Sequence, residues 1–302
     1  MDGNELIAQI LQKEGVEWLA CFPNNPLIEA AAKAGIRPIA FRHERGAVMA
    51  ADGFSRTSHR KRFGVVVVQS QAGAENALGG IAQSFADNIP ILVLPGGVDL
   101  SEIGVRPNYS VTQNYSGVVK RVEAIYHPDQ IPAVMRRAFS ALRNGASGPV
   151  VVELTGDVCS QSNAETIGGY TPPAMLRQAP DSSDIADAAG ALIRAERPML
   201  WAGSGVLFAG ATEELKTLAE LLGTPVFTTM GGKSAFDERH PLALGAGCGT
   251  TTGPAHHWIQ HCDLLLAIGS SLTRSPYAQQ IPNEPLLIQN TNNPDEIGKD
   301  EN

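Results

Sequence analysis

The stretch Phe63-Gly64-Val65-Val66-Val67-Val68-Gln69-Ser70-Gln71-Ala72-Gly73-Ala74 changes character at Gln69. Up to Val68 it is an unbroken apolar run of strand length. Small and polar residues then make a turn, and the pattern predicts a helix from roughly Gly73 to Ala86. Ile89 to Leu94 is a second apolar run. A strand that is apolar at every position, not every second one, is covered on both faces, as strands of parallel sheets are. The same alternation extends backwards. A helix with Leu6, Ile7, Ile10 and Leu11 on one face, capped by Asp2 or Asn4, stops at Gly15. Strand Val16–Phe22, the turn Pro23-Asn24-Asn25-Pro26, an Ala-rich helix ending at Gly35, strand Ile36–Arg42 and helix His43–Thr57 follow. Forwards, a loop from Gly96 to Gly117, of about twenty residues, is long enough to suggest function. Helix Asp129–Arg143 and strand Pro149–Leu154 close this first unit.

From Gly156 to Ser183 the pattern lapses, and Thr171-Pro172-Pro173 and Ala179-Pro180-Asp181-Ser182-Ser183 read as an extended linker. Alternation resumes with helix Asp184–Arg194, strand Met199–Ala202, helix Thr212–Leu222, strand Pro225–Thr229, helix Pro254–Cys262 and strands Leu264–Ile268 and Pro285–Ile288. The predicted fold class is therefore α/β, with two parallel-sheet domains at residues 1–160 and 184–302 joined by a linker at 161–183. After Asn292 the pattern calls for a further helix that does not come, so the second domain reads as truncated.

A chain of 302 residues is long enough for two such cores. Lys plus Arg is 23 and Asp plus Glu is 31, giving a net charge of −8 with no long basic run, which argues against nucleic acid as a partner. Arg60-Lys61-Arg62 reads as a solvated turn. No apolar run approaches the ~18 residues of a membrane span. The polar N-terminus is unlike a signal peptide, and Cys21, Cys159, Cys248 and Cys262 form no CxxC pair, so reduced thiols in a cytoplasmic protein are expected. His257 and His261 are four residues apart on one helix, with His256 and Cys262 beside them, but no carboxylate completes a ligand set. No metal site is predicted. Glu153 and Asp157 read as the end of a strand.

Two segments stand where chemistry is expected. Glu44, in Arg42-His43-Glu44-Arg45-Gly46-Ala47, follows a strand and opens a helix, at the carboxyl edge where open α/β sheets bind ligands. By itself it reads as a solvated first-turn glutamate favoured by the helix dipole. Gln69 to Asn76 enters its helix through small residues that let backbone N–H groups approach a ligand.

Taken with their surroundings, these segments resemble a known family. Phe41 to Arg56 resembles the signature "RHE..A..AADGYAR" of thiamine-diphosphate-dependent enzymes of the acetolactate synthase and pyruvate oxidase group, in their pyrimidine-binding domain. Cys21 to Asn25 falls where that family has a Pro-Gly-Gly turn, and Gln69 to Asn76 where it has "TSGPGATN". Gly80 to Pro90 resembles "GIATAYMDSIP" and Gly148 to Leu154 resembles "GPVLVDIP". In the second domain, Pro198 to Val206 resembles the first strand and turn of the family's central domain. Cys262 to Leu272 resembles "CDVILAVGARF", and Asn293 to Lys299 resembles "DPAEIGK".

The resemblance implies a lyase or transferase that decarboxylates a 2-keto acid and joins the product to an acceptor. It implies that Glu44 hydrogen-bonds a ring nitrogen of the aminopyrimidine and favours the imino tautomer that deprotonates the thiazolium carbon. Pro23, Gly73 and Asn76 are carried over as cofactor-binding neighbours, and Gln113 as the family's active-site glutamine. Two departures stand out: Gln71-Ala72 replaces Gly-Pro, and Asn24-Asn25 replaces Gly-Gly. Asn tolerates positive φ better than most residues, so that turn is expected to survive.

The family holds the diphosphate and Mg2+ with a "GDG" motif, and no Gly-Asp-Gly occurs in this chain. The expectation is that a diphosphate-binding domain comes from elsewhere, within a homodimer, a tetramer or a complex with another chain. The alternative is a non-catalytic truncated or split module that dimerises or binds a full-length partner. The resemblance also admits FAD in the central domain, with no residue of this chain in support. Gly203-Ser204-Gly205 lacks the third glycine of a GxGxxG fingerprint, which disfavours NAD.

Overall fold

The computed structural model describes residues 1–162 and 167–301. The chain divides into two compact units, Met1–Leu176 and Arg177–Asn302. Among the described residues each unit is built on one parallel sheet.

In the first unit α1 (Gly3–Lys13), β1 (Trp18–Phe22), α2 (Asn25–Lys33), β2 (Arg37–Ala40), α3 (Glu44–Thr57), β3 (Gly64–Val68), α4 (Ala72–Ala86) and β4 (Ile91–Pro95) follow one another. Then come α5 (Val111–Tyr115), β5 (Arg121–Ile125), α6 (Ile131–Arg143), β6 (Val150–Leu154) and α7 (Gly156–Cys159). The strand order is β2-β1-β3-β4-β6-β5. Asp2, not Asn4, caps α1: its Oδ1 accepts the Glu5 N–H at 2.8 Å and Glu5 Oε2 accepts the Asp2 N–H at 3.1 Å. Leu6, Ile7, Ile10 and Leu11 are then fully buried against α2, α6 and one face of the sheet.

The other face carries α3 and α4, drawn close by small residues. A Cβ at Gly80 would meet Val48 Cγ1 at 2.9 Å, and one at Gly64 would meet Ala51 Cα at 2.5 Å. Polar ties fix the two helices. Ser84 Oγ donates to Asp52 Oδ2 at 2.7 Å, and Asp52 also pairs with Arg56. Ser55 Oγ accepts the Gly64 N–H at 2.9 Å and donates to the Pro90 carbonyl at 2.7 Å.

The second unit runs α8 (Ser182–Arg194), β7 (Pro198–Ala202), α9 (Ser204–Ala209), α10 (Thr212–Leu222), β8 (Val226–Thr229), β9 (Ala243–Gly247), α11 (Gly253–His261), β10 (Leu264–Ile268) and β11 (Leu286–Asn290). Its strand order is β11-β10-β7-β8-β9. Leu200, Val226 and Leu264 pack into one core layer, and Met199, Phe227 and Leu265 into the other.

Several elements go beyond the sequence pattern. The long loop after β4 contains a 3-10 turn at Leu100–Glu102 and the short helix α5, and β5 follows it. The stretch read as a linker is partly inside the first unit. Tyr170 is buried there, bonded through its hydroxyl to Glu14, and residues 163–166 of that stretch lie outside the described residues. Asn24 has φ −149°, and neither Asn24 nor Asn25 takes a positive φ, so the turn after β1 needs no left-handed residue.

Candidate functional site

Because the strands are parallel, the segments leaving β1, β3, β4 and β6 meet at one edge of the first sheet. The chain goes from β1 out to β2 and back to β3, so the gap between β1 and β3 is the point where the winding reverses. Ligands of open α/β sheets bind outside such a point. Glu44 and Gly73 sit there.

Glu44 is the first residue of α3 and only 2% exposed. A carboxylate at a helix N-terminus is favoured by the free N–H groups, but first-turn glutamates ordinarily face water. Here the side chain turns under α4. Asn76 Nδ2 donates to Glu44 Oε2 at 3.3 Å. Oε1 makes no hydrogen bond to a described residue, and a Cβ built on Gly73 would lie 3.4 Å from it. The space beside Gly73 that leads to Oε1 is filled by the exposed side chain of Gln69, whose Cγ lies 2.5 Å from where that Cβ would be. His43 Nδ1 accepts the Arg45 N–H at 3.1 Å and fixes the start of the helix.

Glu44, Gly73 and Asn76 therefore form one cluster. Pro23 is exposed just past β1, and Gln113 is exposed on α5. Among the described residues no hydrogen bond joins either of them to that cluster. The Gln113 backbone is held locally, its N–H donating to Ser110 Oγ and its carbonyl accepting from Ser116 Oγ.

Three nearby residues are not predicted as site residues from the sequence, although Gln71 stands where the family pattern has glycine. Gln71 has φ 56° and ψ −116° at the mouth of α4. Tyr115 is fully buried and its hydroxyl donates to the Ala74 carbonyl in the first turn of α4. Burial raises its phenol pKa. Glu153, near the end of β6, lies against Gly97, where a Cβ would meet its Cγ at 3.1 Å. Desolvation pushes its carboxyl up to about 7. A lone acidic residue in a strand carries no such signal, because its burial depends on what the loop after β4 lays over it.

In the second unit the turn after β7 is closed. A Cβ on Gly203 would meet Gly269 C at 2.7 Å, and one on Gly205 would meet Gly269 Cα at 2.6 Å. The Gly205 N–H already donates to the Gly269 carbonyl at 2.9 Å. His257 and His261 stack with centroids 4.4 Å apart on α11. Among the described residues no group of three or more His, Cys, Asp or Glu is placed to hold a metal ion, and no helix is long and apolar enough to cross a membrane.

Comparison with known proteins gives a family for both units. The family model described as "Thiamine pyrophosphate enzyme, N-terminal TPP binding domain" matches residues 1–122, and "Thiamine pyrophosphate enzyme, central domain" matches residues 185–302. The chain is 36% identical to the probable acetolactate synthase large subunit of Methanocaldococcus jannaschii, with 89% of this chain and 47% of that protein covered. It is 30% identical to the acetolactate synthase isozyme 3 large subunit of Escherichia coli, with 95% and 52% covered. It is 27% identical to the chloroplastic acetolactate synthase of Arabidopsis thaliana, with 88% and 41% covered. The chain spans about half the length of the curated relatives it matches. With a parallel α/β unit for each of the two matched domains, the chain belongs to the thiamine pyrophosphate enzyme family and is similar to acetolactate synthase large subunits.

Proposed function

We propose that this chain carries the aminopyrimidine side of a thiamine diphosphate site in an acetolactate synthase-like enzyme acting on a 2-keto acid. The observation that carries the reading is Glu44, a buried carboxylate with one oxygen held by Asn76 and the other, beside Gly73, hydrogen-bonded to no described residue. A nitrogen-bearing ring would reach Oε1 once the exposed Gln69 side chain, which now lies beside Gly73, swings into solvent, and Oε1 would then bond a ring nitrogen. When bound, thiamine diphosphate supplies the electron sink for decarboxylating a 2-keto acid and joining the remainder to an acceptor. Glu44 Oε1 would hydrogen-bond that ring nitrogen. Asn76 keeps Oε2 occupied and so fixes which oxygen faces the ring. The low exposure of Glu44 excludes water and strengthens the bond it makes.

Among the described residues no group of three or more His, Cys, Asp or Glu stands ready for the Mg2+ of the diphosphate. The absence of Gly-Asp-Gly from the sequence supports the same division. We assign that half of the site to a diphosphate-binding domain outside these residues, in a homo-oligomer or on another chain.

Calorimetry of the 302-residue chain with thiamine diphosphate and Mg2+ tests the division. The expected result is no Mg2+-dependent binding by the chain alone, and binding once a diphosphate-binding domain is supplied. Tight Mg2+-dependent binding by the chain alone overturns it. The rival is a non-catalytic module, and turnover by the assembled protein that depends on Glu44 excludes it.

A further inference from the structure

Gln71 adopts φ 56° and ψ −116°, a backbone conformation that side-chain-bearing residues rarely take and glycine takes freely. The Gln71 side chain makes two hydrogen bonds from this position. Its Nε2 donates to Asn108 Oδ1 at 3.2 Å, and its Oε1 accepts the Tyr109 N–H at 2.9 Å. Both ends of one amide thus cross from the β3–α4 turn to the loop that leads into α5. Further along, the Tyr115 hydroxyl bonds the Ala74 carbonyl in the first turn of α4, and the Tyr109 ring meets the Tyr115 ring edge-on at 6.4 Å. The segment 108–115 is therefore tied down at both ends on the mouth of α4, with Gln113 between the ties. The unusual backbone at Gln71 is what aims its amide across the gap.

We propose that Gln71 is a positioning residue: it straps the 108–115 segment across the N-terminus of α4, beside Glu44 and Gly73, and so sets where Gln113 stands. Its consequence for turnover rests on the cofactor-site reading above, whereas the strap itself does not.

The test uses Gln71→Gly, which suits the backbone and removes both bonds, and Gln71→Glu, which keeps an acceptor for the Tyr109 N–H. Hydrogen exchange at the Tyr109 amide is expected to quicken about 10-fold in Gln71→Gly, the loss of one modest hydrogen bond, and to return towards the parent rate in Gln71→Glu. Amides of β3 and β4 are expected to keep their protection in both. In the assembled enzyme, Gln71→Gly is expected to raise KM for the 2-keto acid more than it lowers kcat. Unchanged Tyr109 exchange in Gln71→Gly overturns the strap. Quickened exchange with unchanged KM and kcat, in an enzyme that Glu44→Gln inactivates, overturns the positioning role and leaves the cofactor reading standing. An enzyme that stays active with Glu44→Gln overturns the cofactor reading, and the exchange result still decides the strap.

Discussion

The turn after β3 in the first unit and the turn after β7 in the second are built from the same kind of residue and use it in opposite ways. Both leave a central parallel strand, enter a helix and carry glycine. In the second unit Gly203 and Gly205 are filled by the chain itself: the backbone of Gly269 lies where their side chains would be, and it takes up the Gly205 N–H. In the first unit Gly73 faces a buried carboxylate oxygen that no described residue hydrogen-bonds. Glycine at a sheet edge shows that something approaches closely. Whether that is a ligand or the chain's own backbone is decided by the neighbouring turn. This is why Gly203-Ser204-Gly205, which reads as half a dinucleotide fingerprint, does not open a site here.

The largest effect is expected where the open turn meets Glu44. Glu44→Gln keeps the shape and the contact with Asn76 but removes the acidic group. Turnover of the assembled enzyme should fall by roughly 10²–10⁴, the range of a general acid–base contribution. Thermal unfolding should stay close to the parent's. Near-normal turnover would mean that the buried carboxylate is structural and that the two turns differ only in packing.

Gly203→Ala probes the closed turn. The added methyl overlaps backbone of Gly269, which cannot rotate away as a side-chain end could. Denaturant unfolding of the second unit should show a loss of about 2–4 kcal/mol, at the upper end of overpacking costs. A neutral result would show that the turn has slack, and the contrast with Gly73 would weaken.

Glu153 distinguishes the two edges by pH. Its carboxyl is raised to about 7 by desolvation, above the ordinary 4.5. Between those values the folded chain binds more proton than the unfolded chain, so stability falls as pH rises through the window. The loss is complete above pH 7. Glu153→Gln should remove it and raise stability at pH 8 by roughly 1–2 kcal/mol relative to the parent, with little change at pH 4. Melting curves of both proteins across pH 4–8 measure this. Parallel curves would show that Glu153 is well solvated.

What was legible in the sequence follows burial. Val65 to Val68 and Leu264 to Ile268 lie inside their sheets, and their continuous apolar runs announce them. The strands that the pattern misses, β5 and β9, are both edge strands. β5 reads Arg-Val-Glu-Ala-Ile and its charges are used in the Arg121–Glu123–Arg137 cluster, while β9 reads Ala-Leu-Gly-Ala-Gly and has too little side chain to signal a strand. Glu44 was legible because its position after a strand and its neighbours Arg42 to Ala51 match a family pattern. At Gln71 the sequence shows only that a glycine of the family pattern is replaced, and not the strap. Its backbone angle comes from the geometry of the β3–α4 turn, and its partners Asn108 and Tyr109 lie 37 and 38 residues away in a segment without periodicity.

The smallest effect on stability, and the sharpest test of the comparison, comes from Gly73→Ala. The new methyl would meet Gln69 Cγ at 2.5 Å, but Gln69 is exposed and its side chain can swing into solvent. Unfolding should therefore shift by less than about 1 kcal/mol. The methyl would also stand 3.4 Å from Glu44 Oε1, on the approach that the ring needs. Cofactor affinity of the assembled enzyme should fall while the fold is intact, the reverse of Gly203→Ala, where the fold suffers. Measured together by unfolding and by calorimetry, the pair separates a glycine kept for a ligand from a glycine kept for the chain. If Gly73→Ala cost stability and left affinity alone, the two turns would be doing the same job, and the site would have to be sought elsewhere on the sheet edge.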